Sequence, residues 1–257
     1  LYFIKEGGKE LGFKINYEID DVVFSEDIPD YNRCKGAFED PKIRSQIKEM
    51  MGMVDEITVT CDYMKEYYKH KTSNPNVSVI PNYLPKFWAD GFYNEDEVFK
   101  NYEKNKHRPR ILYAGSGTHF DVTNKTGQKD DFEHVIRSII KARKKYNFVF
   151  MGGYPHSLKP YIDNGEMEFV NWVPLLDLFR GLHDVGANAT YAPLQDNNFN
   201  KSKSNIKILE AGALGLPCVA QDLCTYKDAS LKFQTGDELI DRFDQLFKDE
   251  NSYMESS

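Results

Sequence analysis

FNKSKSNIKILEAGALGLPCVAQD, Phe199 to Asp222, is the stretch on which the reading of this chain turns. Its middle predicts a helix over Ser204–Leu214. A Gly-Leu-Pro turn follows, then a strand over Pro217–Asp222. Ser204 or Ser202 can cap the helix through its hydroxyl. Lys203 then stands in the first turn, with Lys207 one turn further on the same face. Cations near a helix N-terminus oppose the positive end of the dipole, so this pair asks for an anionic partner such as a diphosphate. Glu210 shares the face and could accept hydrogen bonds from both hydroxyls of a ribose. The simpler alternative is a solvated face carrying a Lys–Glu ion pair.

Upstream, ANATYAPL (187–194) reads as a strand, so the segment closes one β-α-β unit of a larger alternation. RILYAG (110–115), NFVFMGG (147–153) and MEFVNWV (167–173) are further strands. Helices are predicted over Phe132–Tyr146, Leu175–Leu182 and Asp237–Phe247. The first part of the chain repeats the pattern in shorter form: a strand over Phe13–Ile19, a helix over Ile43–Met53, a strand over Asp55–Thr60, a helix over Asp62–Lys71 and a strand over Val77–Ile80. Between Leu84 and Arg110 apolar density falls and charge rises, with one helix over Asp96–Asn105. Two Rossmann-like domains with parallel sheets are therefore expected, over residues 1–85 and 110–257, joined by a linker over 86–109. The chain opens within a helix feeding a strand and has no initiator Met, so the first domain is expected to be incomplete, with its true start upstream.

Length and composition agree with a folded α/β protein: 257 residues, 40% hydrophobic and 28% charged. The net charge of −7 argues against a general affinity for nucleic-acid backbones. Four cysteines without CxxC pairing suggest neither a zinc site nor a disulfide framework, and a reducing cytoplasm is the natural expectation. Attachment at a membrane surface is left open, but no window is long and apolar enough to span a bilayer.

Ligands of open α/β sheets bind beyond the carboxyl ends of the strands. Three loops end strands there, at Gly115–His119, Gly152–Pro155 and Gln195–Ser204. Gly115, Ser116 and Gly117 let backbone amides approach a phosphate. His119 could donate to a phosphate or a sugar hydroxyl, or simply pack the loop. Trp172 and Tyr113 could flank a base, although aromatics beside strands are commonly core. Asp20 and Asp21 are adjacent on an extended strand, which sends their side chains to opposite faces and argues against a metal site.

The run KSNIKILEAGALGLPCVA with its preceding APLQDNNFN resembles the donor-binding segment of GT-B glycosyltransferases, in particular the retaining family 4 group (glycosyl transferases group 1). YEIDD (17–21), DEITVTCDYMKEYY (55–68), VIPNYLP (79–85) and GSGTHFD (115–121) match other pieces in order. The resemblance covers residues 10 to 230. It implies a nucleoside diphosphate sugar as donor, a UDP- or GDP-sugar, with no obligatory cofactor or metal and with retention at the anomeric carbon. Glu210 would hold the ribose, Lys203, Lys207 and His119 would stabilise the departing diphosphate with Ser204 at the helix terminus, and backbone groups of Trp172 and Val173 would meet the base. The acceptor, whether glycan, lipid-linked, protein or modified nucleic acid, would be chosen by the first domain. Two departures stand out. The first Glu of the E-x7-E signature would fall at position 202, occupied by Ser202. The usual Arg and Lys of the first donor-domain loop are replaced by Gly115 to His119, with Lys125 and Lys129 further along.

Overall fold

The computed structural model describes residues 2–121 and 129–257, and Lys125 lies outside these. The chain divides into two compact units, one formed by residues 1–82 with 196–204, the other by 83–195 with 205–257.

In the first unit α1 (Tyr2–Leu11) is followed by β1 (Asn16–Glu18), α2 (Pro41–Met53), β2 (Glu56–Val59), α3 (Asp62–Lys71) and β3 (Val77–Val79). The strands form a parallel sheet in the order β1-β2-β3, with Tyr17, Ile57 and Val77 side by side. α2 begins where the Asp40 carboxylate accepts the Lys42 amide and Pro41 presets the first turn. It buries Ile47 and Met51, an i,i+4 pair, against the sheet. α3 buries Met64 and Tyr68 at the same spacing and ends in Lys69, His70 and Lys71, whose charge suits the negative end of the dipole. The Tyr68 hydroxyl donates to the Asp21 carbonyl at 2.7 Å, fixing the chain just past β1. The expected strand over Phe13–Ile19 shortens to Asn16–Glu18, the part that pairs with β2.

The second unit contains α4 (Lys86–Phe92), α5 (Glu95–Asn105), β4 (Arg110–Ala114), α6 (Ile136–Ala142), β5 (Asn147–Met151), α7 (Lys159–Asp163), β6 (Glu168–Val170), α8 (Leu178–Asp184) and β7 (Ala189–Ala192). After the short helix α9 (Asn198–Lys201), which packs with the first unit, come α10 (Ile206–Ala213), β8 (Cys218–Gln221), β9 (Leu231–Phe233), α11 (Gly236–Leu246) and α12 (Glu250–Met254). All pairings are parallel, in the order β6-β5-β4-β7-β8-β9. Aromatic side chains fill one face: Tyr113, Phe132, Phe148, Phe150, Tyr191 and Phe243 are at most 2% exposed, with Tyr113 and Phe132 edge to face at 4.7 Å. Tyr113 is thus core and cannot flank a base. α11 closes that face with Leu239, Phe243 and Leu246.

One expected helix start is corrected here. The helix predicted from Phe132 begins at Ile136, because Asp130 turns back to accept the Phe132 amide at 2.9 Å and holds the preceding residues in turns. β9 and α12 escape the sequence reading; each is short, and the nearest breakers mask its periodicity. Among the described residues no helix is long and apolar enough to cross a membrane.

Candidate functional site

Because the strands of the second unit are parallel, the carboxyl ends of β4, β5, β6 and β7 share one edge of the sheet. Glycines shape that edge. The Gly115 amide donates to the Met151 carbonyl at 3.0 Å, and a Cβ at Gly115 would lie 2.6 Å from the Tyr113 hydroxyl. Gly152 has φ +90°, and a Cβ there would stand 2.2 Å from the Trp172 ring. Trp172 therefore lies against bare backbone, 49% exposed, as an aromatic shelf at the end of β6. Val173 is partly buried, with its methyls beside Gly181. In the loop after β4 the Ser116 and Thr118 hydroxyls lie 2.8 Å apart, Gly117 is buried, and Lys129 beyond the loop is exposed.

His119 has a partner that sequence reasoning did not find. Its Nδ1 lies 3.0 Å from Oδ2 of Asp131, a carboxylate only 1% exposed, whose Oδ1 accepts the Gln195 amide at 2.9 Å. The acid pair Asp130–Asp131 ahead of an apolar run is a helix-start signal. That its second member would bind a loop twelve residues earlier and another sixty-four later is a matter of tertiary placement. Burial pushes the Asp130 carboxyl up, against the amides of Phe132 and Asp121 that it accepts.

α10 supplies the remaining groups, and here the reading of Phe199–Asp222 is revised. The helix begins after Asn205, whose side chain makes no cap hydrogen bond, so neither Ser202 nor Ser204 caps it. Ser202 is fully buried and its hydroxyl donates to the Asn198 carbonyl at 2.8 Å, closing α9 instead. Ser204 lies half-buried between the two helices. Lys203 precedes α10, so it does not share a helical face with Lys207. It packs with the first unit, its Nζ 3.9 Å from Oδ2 of Asp21 and 4.4 Å from the Phe199 ring centroid. Lys207 and Glu210 do lie on one face, Nζ to Oε2 3.4 Å, with side chains 20% and 15% exposed. The first turn of α10 contains no acid, so its amides and Lys207 present a positive end. The helix closes through Gly215 at φ +66°, with the Leu216 amide donating to the Ala211 carbonyl at 2.9 Å.

Chemically, this edge of the second unit joins small-residue loops and a helix terminus suited to phosphate, an aromatic shelf, and a carboxylate one turn into α10. Among the described residues, no three His, Cys, Asp or Glu side chains converge so as to hold a metal ion.

No protein-family model matches this sequence, and no curated protein is similar to it. Solved structures are similar in fold. Anabaena HepE in complex with UDP and glucose superposes with a TM-score of 0.62 at 9% identity, over 96% of this chain and 66% of that one. Sucrose-phosphate synthase from Thermosynechococcus elongatus gives 0.62 at 14% identity, over 97% and 63%. WaaG, a glycosyltransferase involved in lipopolysaccharide biosynthesis, gives 0.57 at 14% identity, over 99% and 74%. The chain thus spans just under two thirds of the length of the first two. These structures share the fold of this chain over nearly its whole length, and with its two parallel α/β sheets the chain has the GT-B fold.

Proposed function

We propose that this chain takes part in transfer of a sugar from a UDP-sugar to an acceptor hydroxyl, with retention at the anomeric carbon and without an obligatory metal. The observation that carries this reading is the Lys207–Glu210 face of α10 at the strand-end edge of a GT-B fold. Glu210 holds the ribose hydroxyls. The α10 terminus with Ser204 before it, Lys207 and the loop Gly115-Ser116-Gly117 receive the diphosphate. Trp172 and the main chain at Val173 meet the base. The complexes of HepE with UDP and with UDP-glucose support uracil as the base. Residues 1–85 form the acceptor-side domain, residues 86–109 the linker and residues 110–257 the donor domain.

As the bond to the anomeric carbon breaks, negative charge grows on the β-phosphate. Catalysis consists of stabilising that charge where it forms, by Lys203, Lys207 and His119. The proton of the incoming hydroxyl passes to the departing phosphate oxygen, which retention places on the same face of the sugar. The acceptor is a glycan, lipid-linked, protein or modified nucleic-acid hydroxyl.

Thermal unfolding of the chain with UDP, UDP-glucose and GDP tests the reading. Both uridine nucleotides should raise the midpoint, by the logarithm of their saturation, and GDP should not. No shift with any of them would remove it. A second reading, a nucleotide-binding module without transfer chemistry, is favoured by Ser202, which is buried and bonded within α9 where the signature carboxylate would stand. UDP binding without UDP release from a panel of UDP-sugars, with acceptors supplied, selects it.

A further inference from the structure

Asp131 is the most deeply buried carboxylate at the strand-end edge, and the proposed chemistry does not use it. Burying a carboxylate at 1% exposure costs several kcal/mol unless each oxygen is satisfied. Here the oxygens serve different loops: Oδ1 accepts the Gln195 amide just past β7, and Oδ2 meets Nδ1 of His119 just past β4. The Asp131 amide also donates to the His119 carbonyl at 3.1 Å, so the same residue grips both backbone and ring. The ring further stands edge-on to Tyr113, with centroids 6.4 Å apart.

We propose that Asp131 is the positioning residue for His119: it takes the Nδ1 proton into a hydrogen bond, so fixing the tautomer and plane of the imidazole and placing a compensating charge behind it. A ring held this way presents its Nε2 edge in one orientation, and the carboxylate offsets the positive charge the ring acquires when it is protonated. Asp131 acts through His119 and does not touch a ligand. The inference rests on the reading above only in that the oriented ring meets the donor diphosphate.

The chemistry of the isosteric amide makes the test specific. In Asp131→Asn a single oxygen remains, and the Gln195 amide, a fixed donor, claims it. The amide nitrogen then faces His119, so Nδ1 must accept instead of donate. Long-range proton–nitrogen correlation spectra of the full chain should show the neutral ring of His119 protonated at Nδ1, and at Nε2 in Asp131→Asn. A wild-type ring with its proton on Nε2, or a tautomer unchanged by the substitution, overturns the proposal; the wild-type spectrum decides even if the variant does not fold. Calorimetric titration with UDP supplies the second arm. Asp131→Asn and His119→Gln should each weaken UDP by about tenfold, and the double variant should be no weaker than His119→Gln alone. An equal cost of Asp131→Asn in both backgrounds would make Asp131 a mere tie between loops and overturn the positioning role. If the wild type does not bind UDP, the donor-site reading falls, while the ring tautomer still decides the role of Asp131.

Discussion

Two neighbouring pieces of one motif fold by different rules. Residues 196–204 are held in the first unit by side-chain hydrogen bonds from Tyr63 to Asn198 and from Asn200 to Tyr31, while Ser202 bonds back to Asn198 within the segment. Residues 205–215 belong to the second unit and are held by the helix ladder of α10 and the backbone shape of Gly215. On paper, Lys203 and Lys207 are an i,i+4 pair; in the molecule they belong to different bodies. Spacing along a sequence predicts a shared face only while one helix persists, and here Ser202 ends one helix three residues before Asn205 starts the next.

The largest effect is expected at Gly152, where backbone shape alone is at stake. Gly152→Val places a branched side chain at φ +90° and into the Trp172 ring, and should destabilise the second unit by about 4 kcal/mol in denaturant unfolding, the sum of strain and overpacking. A loss below about 1 kcal/mol would show that Trp172 moves aside freely. Next, if Lys203 serves the transition state, Lys203→Ala should lower turnover of a UDP-sugar about a hundredfold with UDP affinity nearly unchanged. Equal losses of both would return it to ordinary ligand binding. If Glu210 holds the ribose as proposed, Glu210→Ala should do the reverse, weakening UDP about tenfold in calorimetry through loss of charged hydrogen bonds.

Smaller effects concern the side-chain-held segment. Ser202→Ala removes a buried hydroxyl bond and should cost the first unit about 1 kcal/mol in thermal unfolding, with α10 unaffected. Acid should reach this unit as well. Burial pushes the Asp27 carboxyl up, but its hydrogen bonds with Lys71, Tyr67 and Asn198 hold it below its ordinary value. A depressed carboxylate stabilises the fold above its unfolded value of 3.8 and loses that contribution as pH falls through the lower folded value. The unfolding midpoint of the first unit should therefore drop as pH is lowered from about 5 to about 3, and Asp27→Asn should flatten the slope. An unchanged slope in the variant would assign the acid sensitivity elsewhere.

The alternation of apolar strands with amphipathic helices was legible for the longer elements, because parallel sheets bury both faces and their strands read as short apolar runs: Ile111, Leu112 and Tyr113 in β4, Phe148 to Met151 in β5. α3 coincides with its expected span, since Met64 and Tyr68 carry the period and the flanking residues break it. Lys207 and Glu210 were legible for the same reason, being three apart on one helix. What local pattern could not carry was any partner distant in sequence. Asp131 meets His119 and Gln195, Lys203 meets Asp21, and Trp172 settles on Gly152 only because parallel strands bring their carboxyl ends together. Periodicity is a property of neighbours along the chain and determined the elements. The pairing of charges and the ends of helices depend on which chain segments share a unit, and that was decided by tertiary packing alone.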